Sequence, residues 1–350
     1  MTGLTDSGTH FRRQQDYSVM LVSQDYELFF QQSGSVGKCL FEPCDLLSDW
    51  ARERDIPITF FVDAGMLCAM EREAVREPSL AKELGRVKEH LEGLAQQGHE
   101  IGLHIHPHWE DTHRVGSAWD FEGSRYQLRD FSDSEISSIV ARYTDVLKEL
   151  CDGEVHSYRA GGFCIEPFAR IKGPLQDAGI SIDSSIVPGL RINDADKGVD
   201  FTGAPDRGWW TFESSPSRPD EDGDFLEIPI TPLVLPPLHY WGRAISRVLG
   251  RRPASTFGDG TSKALGRHEI IRRLTGRGRG SELSIDAQKA AQLNSGNISR
   301  QQRDIWHVMG HPKLLGRASL DALEKFIDRK DFGRFLTVTN LADAVRAQRQ

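Results

Sequence analysis

The sequence predicts an α/β chain whose strands build a distorted (β/α) barrel of about seven parallel strands, carrying an arginine-rich loop insertion. Three observations lead there. Short runs of β-type residues alternate with longer stretches of helical periodicity along most of the chain. Its 350 residues, 38% hydrophobic and 27% charged, are enough for one large soluble domain. The conspicuous polar residues Asp25, Glu27, His104, Arg159 and His311 each lie at or just after a strand-like run. In such a fold that is the end of the unit where active sites form.

The elements read in order. Tyr17 to Ser23 is an apolar strand, followed by the polar turn Gln24-Asp25-Tyr26-Glu27. Cys44–Arg54 has helical spacing, with Leu46, Leu47 and Trp50 on one face. Ile58–Val62 is a second strand, Ser79–Gln97 a long helix stopped by Gly98, and Glu100–His104 a third strand. Ser134–Leu150 is another long helix. Further strands are expected at His156–Arg159, Ser181–Asp183, Phe225–Ile230, Trp306–Met309 and Phe335–Thr339. Strands separated by helices pair in parallel through right-handed crossovers.

Residues 1–16 are expected to be a loose polar tail, and 17–350 a single domain with an insertion at about 240–300. Within that insertion arginines crowd between Tyr240 and Gly280, opposed only by Asp259 and Glu269. Arg243, Arg247 and Arg251 recur at helical spacing. The stretch reads as a solvated helical loop, or as a basic amphipathic element meeting anionic lipid or a phosphate-bearing substrate.

A net charge of −8 argues against nucleic acid as the main partner. No apolar run approaches the roughly 20 residues of a membrane span. The polar start MTGLTDSGTHFRRQQDYS lacks an apolar signal core, and the five cysteines contain no CxxC pair. The expectation is a cytoplasmic protein with reduced thiols and no cysteine-bound zinc.

Residues 98–109, GHEIGLHIHPHW, hold the chemistry. His104 and His108 are four apart, so one helical turn or a tight loop brings both imidazoles to one side. Neutral imidazole suits zinc and similar divalent ions, and an open site takes about three protein ligands. Asp25 and Glu27, at i and i+2 in an extended segment, face the same way and offer a carboxylate each. One can bind the metal while the other takes a proton from water, and the residues alone leave that choice open.

These segments resemble the polysaccharide deacetylase family, also called carbohydrate esterase family 4 or the NodB-homology group. GHEIGLHIHPH is similar to its histidine motif at His104 and His108, with His99 at a non-ligand position and His106 an extra. Asp25 stands where the family has its base. Tyr26 replaces the adjacent ligand aspartate, which leaves Glu27 as the substitute. Tyr158-Arg159-Ala160-Gly161-Gly162-Phe163 is similar to the arginine motif, DSSIVPG at 183–189 to a segment following a strand in many members, and VMGHPK to the last histidine motif. The resemblance implies catalytic roles for Asp25, Arg159 and His311, and metal ligation by Glu27, His104 and His108. The metal would be divalent: zinc, or else cobalt or nickel. Tyr26 and Trp109 are candidates for lining the sugar site, since aromatic faces pack on sugar rings.

The function implied is a metal-dependent N-deacetylase acting on an N-acetylated sugar. A nucleotide-linked, lipid-linked or small saccharide made inside the cell, such as a surface-polysaccharide precursor, fits a chain without a signal core. The same residues would serve to remove a formyl group. Two other readings stand beside this one. His104-Ile105-His106 is a His-x-His after a strand, as in amidohydrolase barrels, although there the pair sits on the first strand. Alternatively the fold is catalytically degenerate and binds a glycan or a partner.

Overall fold

The computed structural model describes residues 18–116, 118–192, 198–235, 241, 245, 255–261 and 279–349. The expected tail (1–16) and Arg243, Arg247 and Arg251 lie outside them. The strands are β1 (Ser18–Tyr26), β2 (Thr59–Asp63), β3 (Glu100–Ile105), β4 (His113–Val115), β5 (Ala118–Asp120), β6 (Ser157–Ala160), β7 (Ile182–Asp183), β8 (Arg191–Ile192), β9 (Val199–Asp200), β10 (Trp210–Phe212), β11 (Phe225–Glu227), β12 (Pro232–Leu235), β13 (Arg279–Glu282), β14 (Ile305–Gly310) and β15 (Phe332–Phe335). The helices are α1 (Glu42–Arg52), α2 (Ala64–Ala74), α3 (Pro78–Gln96), α4 (Asp133–Lys148), α5 (Lys172–Asp177), α6 (Gly296–Arg300), α7 (Arg317–Lys330) and α8 (Val338–Arg349). None of these helices is long and apolar enough to cross a membrane, and all five cysteines are free.

One mixed sheet of nine strands organises the described residues, in the order β10-β11-β7-β6-β3-β2-β1-β14, with β15 also on β1. Every pairing is parallel except β10 with β11. The sheet curls until its far members meet. Thr231, just beyond β11, donates its N–H to the His307 carbonyl of β14 at 3.0 Å, and its hydroxyl accepts the His307 N–H at 2.8 Å. No ladder forms there among the described residues. The expected barrel is therefore a curled parallel sheet that is not closed by regular pairing.

The alternation of each strand sorts its side chains into two cores. On β1, Met20, Val22 and Tyr26 point outward to the helices, together with Phe60, Val62, Leu103 and Tyr158. Val19 and Leu21 point inward, where Phe61, Ile182, Leu226 and Ile228 fill the curl. Inward-facing Ser23, Asp25 and Glu27 continue the same row beyond the apolar plug. So polar residues can occupy the interior at the C-terminal strand ends only because aromatic and aliphatic side chains seal the other end.

Helix periodicity does the outer packing. α3 buries Leu80, Leu84, Val87, Leu91 and Leu94 along one stripe. α4 starts on a capping box in which Ser132 and Glu135 satisfy each other's backbone N–H groups. α2 escapes a periodicity reading because it is buried on most sides, from Ala64 through Met70.

The strand expected at Phe335–Thr339 begins earlier, and Val338 instead opens α8. The cause is tertiary. Glu100 at the start of β3 accepts the Thr339 N–H (3.0 Å) and hydroxyl (2.7 Å), the Thr59 hydroxyl (2.9 Å) and the Ser157 hydroxyl (2.6 Å). Thr337 caps the new helix by accepting the Asn340 N–H at 3.1 Å. α8 then lays Val338, Leu341, Ala342 and Val345 against the inner core. Replacing Glu100 by Ala should strand these donors and lower stability by about 1–3 kcal/mol. Denaturant unfolding measures this, and an unchanged midpoint would show that water replaces the carboxylate at no cost.

Candidate metal and hydrolytic centre

The row of inward side chains on β1 meets those of β3 and β6 at the C-terminal ends. Parallel register sets Asp63 of β2 beside His104 of β3, and His104 beside Arg159 of β6. Arg159, fully buried, donates from Nη1 to Asp25 Oδ1 at 2.7 Å, from Nε to the Ser184 carbonyl and from Nη2 to the Ser184 hydroxyl. Its guanidinium lies over the Phe61 ring at 4.1 Å. His307 Nε2 stands 2.8 Å from the Ser23 hydroxyl and 3.3 Å from Arg159 Nη2. Burial and the Arg159 charge hold this imidazole well below its usual range, so it is neutral and accepts.

Glu27, just past β1, is fixed from the other side. Lys313, on the turn after β14, donates to Glu27 Oε1 at 2.9 Å and also to the Leu28 carbonyl. Glu27 Oε2 then lies 2.7 Å from His106 Nε2 and 3.5 Å from His104 Nε2. Although burial opposes its charge, Lys313 and these imidazoles hold the Glu27 carboxyl well below the carboxylate range.

Glu27, His104 and His106 bring one donor atom each to within 4.8 Å of one another. Two further observations fit this cluster to a cation. His104 Nδ1 lies 2.8 Å from the Arg159 carbonyl, which makes it a proton donor and turns the Nε2 lone pair to the acids. Glu27 Oε2 has no hydrogen-bond partner among the described residues, so its approach to His106 Nε2 is close without being aligned as a hydrogen bond. A site with imidazole and carboxylate donors suits zinc and its neighbours.

His108 does not join the cluster. The expectation treated the two histidines four apart as a turn, but the segment stays extended through His106 (φ −110°, ψ 93°). Pro107 imposes this, because a residue preceding proline is pushed out of the helical region. His104 and His106 therefore share a face, and the 3₁₀ turn Pro107–Glu110 sets His108 beside His106 but outside the group of three donors. Its ring lies 5.4 Å from that of His106 and packs against Phe30, Trp109, Phe121 and Tyr126, with both nitrogens buried and without hydrogen bonds among the described residues.

Tyr26 and Trp109 also sit elsewhere than a sugar site requires, both being fully buried. Tyr26 alternates with Asp25 and Glu27, so it points outward, where its hydroxyl meets His90 Nδ1 at 3.0 Å. Trp109 donates its indole N–H to Asp63 Oδ2 at 2.6 Å. His99 is tied into the fold through Ser48 and the Ile58 N–H.

His311 follows β14 and faces the acids. Its Nε2 lies 3.8 Å from Asp25 Oδ2 and 3.7 Å from Glu27 Oε1, and its Nδ1 lies 3.1 Å from Asp286 Oδ2. Burial works against its charged form, yet Asp286, helped by Asp25 and Glu27, raises it to about 9. Sequence reasoning gave no role to Asp286, Lys313, His307 and Asp63, although Asp63 follows the second expected strand, His307 lies in the expected strand Trp306–Met309 and Lys313 ends the VMGHPK stretch. It placed His106 as an extra beside the family motif and as part of the His-x-His of the amidohydrolase reading. Asp63 is raised to about 7 by burial, against the pull of His104.

Two measurements check this geometry. In chelator-treated protein the His311 imidazole should stay protonated up to about pH 9 by NMR. Asp286→Asn should lower that midpoint, and an unmoved midpoint would reject the pairing. A Cβ at Gly161 would lie 2.5 Å from the Ile105 carbonyl and 2.6 Å from His106 Nδ1. Gly161→Ala should therefore displace His106 and weaken divalent-metal binding about tenfold or more, read by competition with a chelator. Unchanged binding would mean that His106 is not held where it matters.

No family model matches the chain, and no curated protein matches it. Solved structures are similar to it. One is a Mycobacterium smegmatis protein assigned to the polysaccharide deacetylases, at 16% identity and a TM-score of 0.46, covering 96% of this chain and 93% of the other. A CE4 family pseudoenzyme from Bacillus anthracis matches at 9% identity and a TM-score of 0.42, covering 93% and 66%. A family 4 carbohydrate esterase from Streptomyces lividans matches at 10% identity and a TM-score of 0.34, covering 89% and 86%.

Proposed function

We propose that this chain is a metal-dependent amide hydrolase of the polysaccharide deacetylase type, removing the N-acetyl group of a sugar or glycan precursor. The observation carrying this reading is the separate guarding of two acids on one strand. Arg159 occupies Asp25 Oδ1 and Lys313 occupies Glu27 Oε1, so each acid keeps one oxygen turned inward. Glu27 Oε2 faces His104 and His106, whereas Asp25 Oδ2 lies between His104 and His311. That asymmetry favours Glu27 as metal ligand and Asp25 as base.

Glu27, His104 and His106 would hold a divalent ion, zinc being the reading of first choice and cobalt or nickel the alternatives. When bound, such an ion polarises the acyl oxygen and acidifies water. Asp25, oriented by Arg159, takes the proton of the attacking water. His311, charged through Asp286, delivers a proton to the departing sugar nitrogen. The C–N bond breaks, giving free amine and acetate. His307 and Ser184 keep Arg159 in place and move no proton themselves. A formamide would meet the same groups in the same order.

Metal content by plasma mass spectrometry, on protein purified without chelator or histidine tag, tests the ligand set. Near one equivalent is expected in wild type and in His108→Ala, with loss in His104→Ala and in His106→Ala. Loss in His108→Ala with retention in His106→Ala would overturn it. Asp25→Asn should keep the metal while lowering kcat on N-acetylated sugars about 10²–10⁴-fold. Full activity in that variant would move the base elsewhere.

A further inference from the structure

Lys313 has no place in the chemistry above beyond holding one oxygen of Glu27, yet its surroundings are built with care. It is buried, as is Glu27, and they meet at 2.9 Å. Its ammonium also reaches the Leu28 carbonyl and lies 5.0 and 4.8 Å from the ring centres of Phe29 and Phe30. The backbone beneath is clamped as well. The Gly258 N–H donates to the Lys313 carbonyl at 3.1 Å, in a contact so close that a Cβ at 258 would lie 2.5 Å from that oxygen. Residues 255–261 thus brace the turn that carries the lysine, through Phe257 to Leu315, and tie it to the segment after β1 through Thr261 to Gln32.

The electrostatic demand is plain. Glu27 and Asp25 both approach His104 Nε2, at 3.5 and 3.9 Å, from a strand end where neither is exposed. Two buried like charges that close need opposite charge nearby. Arg159 supplies it to Asp25, while Glu27 has Lys313 at 2.9 Å and, more distantly, His311 at 3.7 Å, which Asp286 already pairs. A lysine head is a compact point charge, so it can neutralise one oxygen without covering the other.

We propose that Lys313 is the resident counter-ion of Glu27, which keeps the ligand cluster balanced with no metal present and thereby limits how tightly a divalent ion binds. The second half of this inference rests on the metal-site reading, and the first does not. Removing the lysine charge should therefore weaken the metal-free fold and strengthen metal binding. A purely structural lysine would weaken both.

The test is a cycle of Lys313→Met, Glu27→Gln and the double variant, melted with excess chelator, beside Lys313→Arg. Lys313→Met should melt lower than wild type by about 5 °C or more, whereas the double variant should regain most of that loss because no charge is left stranded. Lys313→Arg should stay near wild type. In chelator competition Lys313→Met should bind Zn²⁺ about tenfold or more tightly than wild type. If Lys313→Met is insoluble without metal, a soluble double variant supports the proposal. A double variant as unstable as the single, or weaker Zn²⁺ binding by Lys313→Met, overturns it. Wild type that binds no Zn²⁺ would sink the hydrolase reading, while the melts without metal would still decide on Lys313.

Discussion

Charge placed out of reach of water is the constraint around which the interior is organised. Asp25, Glu27 and Asp286 are all buried at the same end of the sheet, and each is matched by its own cation. Arg159 meets Asp25 at 2.7 Å, Lys313 meets Glu27 at 2.9 Å and His311 meets Asp286 at 3.1 Å. Leaving any one acid alone would cost several kcal/mol. The cations come from distant parts of the chain, so the pairs form only when the sheet curls. Fold and site therefore depend on each other, since the curl assembles the pairs and the pairs make a polar interior tolerable.

Much of this arrangement was legible because strands obey a period of two. Asp25 and Glu27 share a face for that reason, and the order of acids, histidines, arginine and last histidine follows the order of strand ends. The same rule spoke against Tyr26 in a sugar site, since a residue between two inward-facing acids must point outward. Pro107 likewise carried the information that selects His106, because it keeps the preceding residue extended. Both signals were local and present, but the first was outweighed by the affinity of aromatic faces for sugar rings and the second by the four-residue spacing of His104 and His108.

Other features had no local signature. His307 lies in an expected strand and Lys313 in the VMGHPK stretch, but these two and Asp286 acquire meaning only from partners that local pattern does not name. The replacement of an expected strand by α8 follows from Glu100, which collects donors from three other segments. The His-x-His spacing of the amidohydrolase reading is the spacing the structure uses at His104 and His106, but here it stands on the third strand with the acids on the first.

One contact sets how the centre responds to sequence change. His104 is oriented by the main-chain carbonyl of Arg159, while the side chain of the same residue orients Asp25. Substitution at 159 erases the second interaction and leaves the first untouched, because every amino acid carries that carbonyl. The tautomer of His104 is thus inherited with the backbone path rather than encoded by any side chain. A lineage could lose the arginine support of Asp25 through one codon and still keep the orientation of His104. The orientation of the acid and the orientation of the histidine are, in this architecture, separable.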